Sequence, residues 1–223
     1  MVDKYKISGT SILAWAAVTI FAFALLVVSS GSRGFDIYDI SQGISAITDS
    51  PMILAGGYIL FAWSGVALIF MVVAVDGSLT RGSNDYLART GAIFGLIAGT
   101  LFLLYGLIGG FGYFDLSYIE SVRSADYIRE AYLPLTIITN RTLAAAISIL
   151  GLWFVLTNWL TLQSRILPSP VSYLGLAAGV IALPGFLLPG GMFSLLALLL
   201  AIVWALLVGF QMLRQSNVHA VSA

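Results

Sequence analysis

Residues 171–213 read VSYLGLAAGVIALPGFLLPGGMFSLLALLLAIVWALLVGFQML, 43 residues without a charge. Wound as one helix at 1.5 Å per residue, the stretch would measure about 64 Å, twice a bilayer core of about 30 Å. It has to turn back on itself. Pro189-Gly190-Gly191 supplies the reversal, because proline ends one helix and glycine permits a sharp turn. Two antiparallel spans follow, 171–188 and 192–213, and with them the reading of the chain as a membrane protein. Pro184 lies inside the first of the pair and predicts a kink there.

Working outward, four more apolar runs reach the roughly 20 residues that a spanning helix needs: 10–30, 52–75, 90–112 and 142–162. The expectation is an all-α bundle of about six spans in one transmembrane domain covering residues 1–223, with five the competing count. Composition agrees. Of 223 residues 60% are hydrophobic and 9% charged, against roughly 25% charged in a soluble domain. Ten acids and ten bases could not cover a water-facing surface of this size.

The same composition excludes several chemistries. Zero net charge leaves no basic stripe for nucleic acid. The absence of cysteine removes thiolate catalysis, iron–sulfur clusters and Cys-type zinc sites. A single histidine, His219, cannot build a bis-His haem, an H-E-x-x-H metalloprotease or a Ser-His relay. The only lysines are Lys4 and Lys6, so no mid-membrane Schiff base can hold retinal. All ten acids fall in loops or tails, which counts against an intramembrane aspartyl protease or a proton-coupled carrier. No catalytic residue, metal or cofactor is expected, and enzyme is the least expected class.

The first run follows Lys4 and Lys6 and ends in small residues, as a signal peptide does. Its apolar stretch is longer than the roughly 7–15 residues of a signal core, so it reads as an uncleaved anchor. Basic residues in short loops set orientation. With the N-terminus inside, the inner segments hold Lys4, Lys6, Arg81, Arg89, Arg165 and Arg214, and the outer ones Arg33, Arg123, Arg129 and Arg141. Both termini are therefore expected on the cytoplasmic side of the cell membrane. The two long outer connections read as amphipathic helices. In the first, Ile37, Ile40, Ile44 and Ile47 recur at helical spacing behind Asp36; in the second, residues 115–132, Leu116, Ile119, Val122 and Ile128 do so more weakly.

Gly91, Gly95 and Gly99 form a doubled G-x-x-x-G in the third span, and Gly175 and Gly179 repeat it in the fifth. Glycines four apart let a neighbouring backbone approach closely. The expected use is packing within the chain, with homodimerisation through the third span the sharper alternative. Arg141 is the one base that could be submerged. If the fourth helix begins at Pro134, Arg141 sits roughly 10 Å down; if Asn140 is the N-cap, it lies at the interface and can snorkel. The second start is favoured, because 142–162 is a full span by itself. Arg141, Asn140 and Trp153 are the candidate ligand-binding residues. Pro184, Pro189, Gly190 and Gly191 are the candidate hinge. Trp63, Trp153 and Trp204 fall mid-span as packing mass, and polar residues such as Ser64, Ser148, Thr157 and Asn158 are expected to bond between helices.

Ile166-Leu167-Pro168, followed by Val171-Ser172-Tyr173-Leu174-Gly175-Leu176-Ala177-Ala178-Gly179-Val180, resembles the entry to the fifth span in a family of uncharacterised bacterial six-span membrane proteins, a domain of unknown function. Arg165 supplies the basic inner loop of that pattern, and Met212-Leu213-Arg214 the basic tail. The resemblance implies a bacterial inner-membrane protein and carries over no catalytic or binding residue. The leading functional expectation is a non-enzymatic accessory or scaffold subunit, or a binder of lipid-like molecules, with the bilayer and a membrane-protein partner or second copy as its contacts. A small transporter or channel, using Arg141 and the Pro184/Pro189 break, is the alternative.

Overall fold

The computed structural model describes residues 4–29, 47, 49–79, 85–120, 125–186 and 192–221. Six helices account for nearly all of them: α1 (Lys4–Ser29), α2 (Pro51–Leu79), α3 (Asp85–Glu120), α4 (Ala125–Ser164), α5 (Ser169–Ala182) and α6 (Met192–Val221). In lipid every backbone N–H and C=O must find a partner inside the protein, and a helix supplies it within its own segment. All but α5 are long and apolar enough to cross a membrane. The chain is an integral, multi-pass membrane protein.

Helix α5 has 14 residues, about 21 Å of rise. It opens on Pro168 at the N-cap with Pro170 just inside, where a missing N–H costs nothing. The kink expected at Pro184 takes the form of a 3-10 turn over Leu183–Phe186. That turn adds roughly 8 Å and carries the segment almost to the depth of a full span. Pro189, Gly190 and Gly191 lie outside the described residues, as does most of the first outer segment.

The fourth helix departs most from expectation. It begins at Ala125 and runs unbroken for 40 residues with Pro134 inside it, so Asn140 is an interior residue and not an N-cap. The reason is packing. Helix α3 continues to Glu120, and it gives the early part of α4 a surface to bury. The Tyr113 ring lies 5.9 Å from that of Tyr132, the Tyr113 hydroxyl bonds the Thr136 hydroxyl at 3.0 Å, and Gly112 receives the Leu135 side chain. Proline's lost hydrogen bond costs less than giving up this seam. Residues 115–120 and 125–132 are helical, as the prolonged ends of α3 and α4.

Each helix packs against the next in the chain, and α6 returns to pack against α1, closing a ring. Close backbone crossings hold it. A Cβ at Gly65 of α2 would stand 2.5 Å from the Gly99 carbonyl of α3, one at Gly151 of α4 would stand 2.7 Å from the Gly179 carbonyl of α5, and one at Gly9 of α1 would stand 2.9 Å from the Gly209 carbonyl of α6. Trp15, Trp153, Trp204, Phe61, Phe102 and Phe154 are fully buried between the helices. Trp63, expected as packing mass, instead faces outward with Phe21, Phe70, Phe111 and Phe210, as lipid contact permits.

Candidate functional site

Three places in the bundle combine polar groups or open space with defined walls. The first joins α4, α5 and α6. Asn158 is wholly buried; its amide nitrogen donates to the Phe154 carbonyl at 2.8 Å, and its amide oxygen accepts from Trp204 Nε1 at 2.8 Å. Gly175 faces it so closely that any Cβ there would overlap the Asn158 amide. One turn on, the Thr161 and Ser172 hydroxyls meet at 3.0 Å, and at the other end Ser148 donates to the Ala182 carbonyl at 3.2 Å. Trp153, Phe154 and Trp204 stack edge to face around the centre, 5.0–6.1 Å apart. With donor and acceptor both used, Asn158 acts as interhelical glue.

The second is a tyrosine cluster between α2, α3 and α4. Tyr58 stands 5.3 Å from Tyr105 and 5.1 Å from Tyr113, and Phe61 sits edge-on to Tyr105 at 5.3 Å. Gly106 and Gly109 make the cluster possible: a Cβ at either would collide with Tyr58 or with the α2 backbone beside it. These three tyrosines, with Tyr132, were missed by the sequence reading. They are spread over three helices, and no local pattern ties them to a common centre.

The residues expected to bind a ligand do not converge. Arg141 is exposed on α4. Trp153 is buried twelve residues on, about 18 Å along the axis. The α3–α4 register, set by Gly112 against Leu135 and Gly95 against Trp153, places Arg141 level with about Leu107, roughly 12 Å below Asp115. Asn140 buries its amide nitrogen without a hydrogen-bond partner, a condition worth about 1–3 kcal/mol of destabilisation. Of the glycine stripes, Gly95 receives Val72 and Trp153, Gly99 receives Ile69 and Gly65, and Gly179 receives Gly151 and Val155; Gly91 meets Leu156 only at ordinary contact distance. Both faces of the third span's motif are thus occupied from within the chain, by α2 and α4. Among the described residues, no three metal-ligating side chains come together.

The third place is a groove on the lipid-facing side of α1 and α2, about 440 Å³ in volume. Its floor is Thr10, Ser11, Ala14 and Val18 from α1 with Leu60, Val66 and Ala67 from α2, and Trp63 and Phe70 stand out as its wall. Beneath it the two helices are fastened by buried hydroxyls. Thr19 and Ser64 meet at 2.6 Å, and Ser8 donates to the Ala74 carbonyl at 2.9 Å.

The family model described as "Domain of unknown function (DUF4386)" matches residues 7–216, the whole helical ring from the start of α1 into the last turns of α6. The chain belongs to this family. Membership in DUF4386 agrees with the resemblance read from the fifth-span entry. No curated protein and no solved structure matches the chain.

Proposed function

We propose that this DUF4386 protein is a non-enzymatic membrane protein that works through what it holds against its surface, as an accessory or scaffold subunit or as a binder of lipid-like molecules. The observation that carries this reading is how the interior is used. Glycine crossings bring backbones together, aromatic rings fill the space between helices, and the buried Asn158 amide, Trp204 indole and Tyr113 and Thr136 hydroxyls are spent on hydrogen bonds within the bundle. Among the described residues no charged side chain is fully buried, whereas buried charge is the usual mark of a transport or proton path. The setting is the inner membrane of a bacterium, with both termini cytoplasmic.

Purification from its native membrane in mild detergent tests the reading: a co-purifying membrane protein or a tightly held lipid is expected, and clean monomer carrying neither sinks it. The orientation has its own test, because the chain lacks cysteine. Tyr118→Cys at the far end of α3 should react with an impermeant maleimide from outside, and Gln163→Cys near the α4–α5 turn should not.

A further inference from the structure

We propose that the α1–α2 groove binds one anionic glycerophospholipid, with an acyl chain lying along the groove and the phosphate held by Lys4 and Lys6. The proposal rests on the surface-binding function above and names its ligand. The groove is almost wholly apolar and open to the bilayer, with Thr10 and Ser11 at one end. Between Thr10 and Val18 it follows α1 for about 12 Å, and between Leu60 and Phe70 it follows α2 for about 15 Å. That elongated shape fits a hydrocarbon chain.

The charge at its end selects the headgroup. Residues four or seven apart share a helix face. Lys6, Thr10 and Ala14 therefore form one ridge running into the groove, and Lys4, Ser11 and Val18 form another. Both lysines are exposed on the first turn of α1, where the chain enters the membrane. Lys4 keeps its ammonium 4.9 Å from the Tyr5 ring, and Lys6 makes no ion pair among the described residues. The nearest acid on α2 is Asp76, half-buried and engaged in an interaction of its own. Two ammonium groups one to two turns beyond the last hydroxyl of an apolar trough are complementary to a phosphate with its acyl chain attached. The hydroxyls of Thr10 and Ser11 stand at the depth of the ester region.

Native mass spectrometry of the protein exchanged into micelles doped with phosphatidylglycerol or phosphatidylcholine tests this. The wild type should retain phosphatidylglycerol preferentially. One lysine near a membrane surface contributes about fivefold to binding of an anionic lipid, so Lys4→Gln and Lys6→Gln should each lower phosphatidylglycerol retention about fivefold and leave phosphatidylcholine unchanged. Ala14→Phe, which fills the trough from an outward-facing position that the fold does not depend on, should lower retention of both lipids. Arg214→Gln, at the same end of the bundle but on α6, should change neither. Equal retention of the two lipids by the wild type overturns the proposal. So does an Arg214→Gln effect equal to that of the lysines, which would mean diffuse surface charge. An Ala14→Phe effect on oligomeric state or on a co-purifying protein would give the groove to a second copy or a partner helix instead. A lipid that stays bound through all four variants removes this site and leaves the proposed function standing.

Discussion

Replacing Gly175 by alanine should destabilise the bundle in one background and not in another. In the wild type, the new methyl overlaps the Asn158 amide, and Asn158 cannot retreat without releasing Trp204 Nε1 and the Phe154 carbonyl. Overpacking costs about 1–3 kcal/mol, and a lost interhelical hydrogen bond in a membrane protein about 0.6 and at most about 1.7 kcal/mol. Against this, alanine favours the helix over glycine by about 1 kcal/mol. The net expectation is a loss of about 2 kcal/mol. With Asn158→Ala already present the overlap is gone, and Gly175→Ala should be neutral or stabilising by up to about 1 kcal/mol. Unfolding in mixed micelles at increasing SDS content, followed by tryptophan fluorescence, reads both backgrounds, since Trp153 and Trp204 border the site. Equal destabilisation in the two backgrounds would refute the account of Gly175 as the space for Asn158.

Other substitutions have outcomes fixed by the same geometry. Gly65→Ala, whose methyl would press on the Gly99 carbonyl and the Leu103 nitrogen, should lower stability by about 3 kcal/mol; Gly91→Ala, facing Leu156 at 3.4 Å and Thr157 Oγ1 at 3.9 Å, should be within about 0.5 kcal/mol of wild type. Tyr113→Phe removes the hydroxyl bonded to Thr136 and should cost about 0.6–1.7 kcal/mol in the same titration. Arg165 ends α4 with φ 54°, a left-handed conformation that strains a non-glycine residue by roughly 1–2 kcal/mol. Arg165→Gly should therefore raise the SDS midpoint, and a drop would show that the guanidinium makes a contact stronger than the strain.

The number and placement of the apolar helices were legible because lipid imposes one rule on every segment: enough apolar length, with the backbone satisfied internally. The 43 uncharged residues of 171–213 and the Pro184 break could be read on that rule alone. The start of α4 could not. Asn140 and Pro134 carry ordinary boundary signals, and what overrides them is a tertiary contact between Tyr113, Tyr132 and Thr136, residues that no local window holds together. The relation among the candidate site residues was hard to read for a related reason. Arg141 and Trp153 were grouped by residue type on one helix, whereas depth and facing separate them. The Asn158–Trp204 pair joins residues 46 apart in sequence, and Gly175 read as a packing glycine without showing which side chain it makes room for.

The contact between the first and last helices sets an order on biosynthesis. Helix α1 enters the membrane before α2–α6, yet the face that carries Gly9 and meets Gly209 through Leu13 stays open to lipid until α6 is made. A nascent chain released before that point exposes a seam built for another helix of the same protein. Insertion factors that shelter half-made membrane proteins would find α1 their longest-waiting client here. A chain cut just short of Gly209 should be cleared by quality-control proteases even though every earlier contact in the ring is already in place.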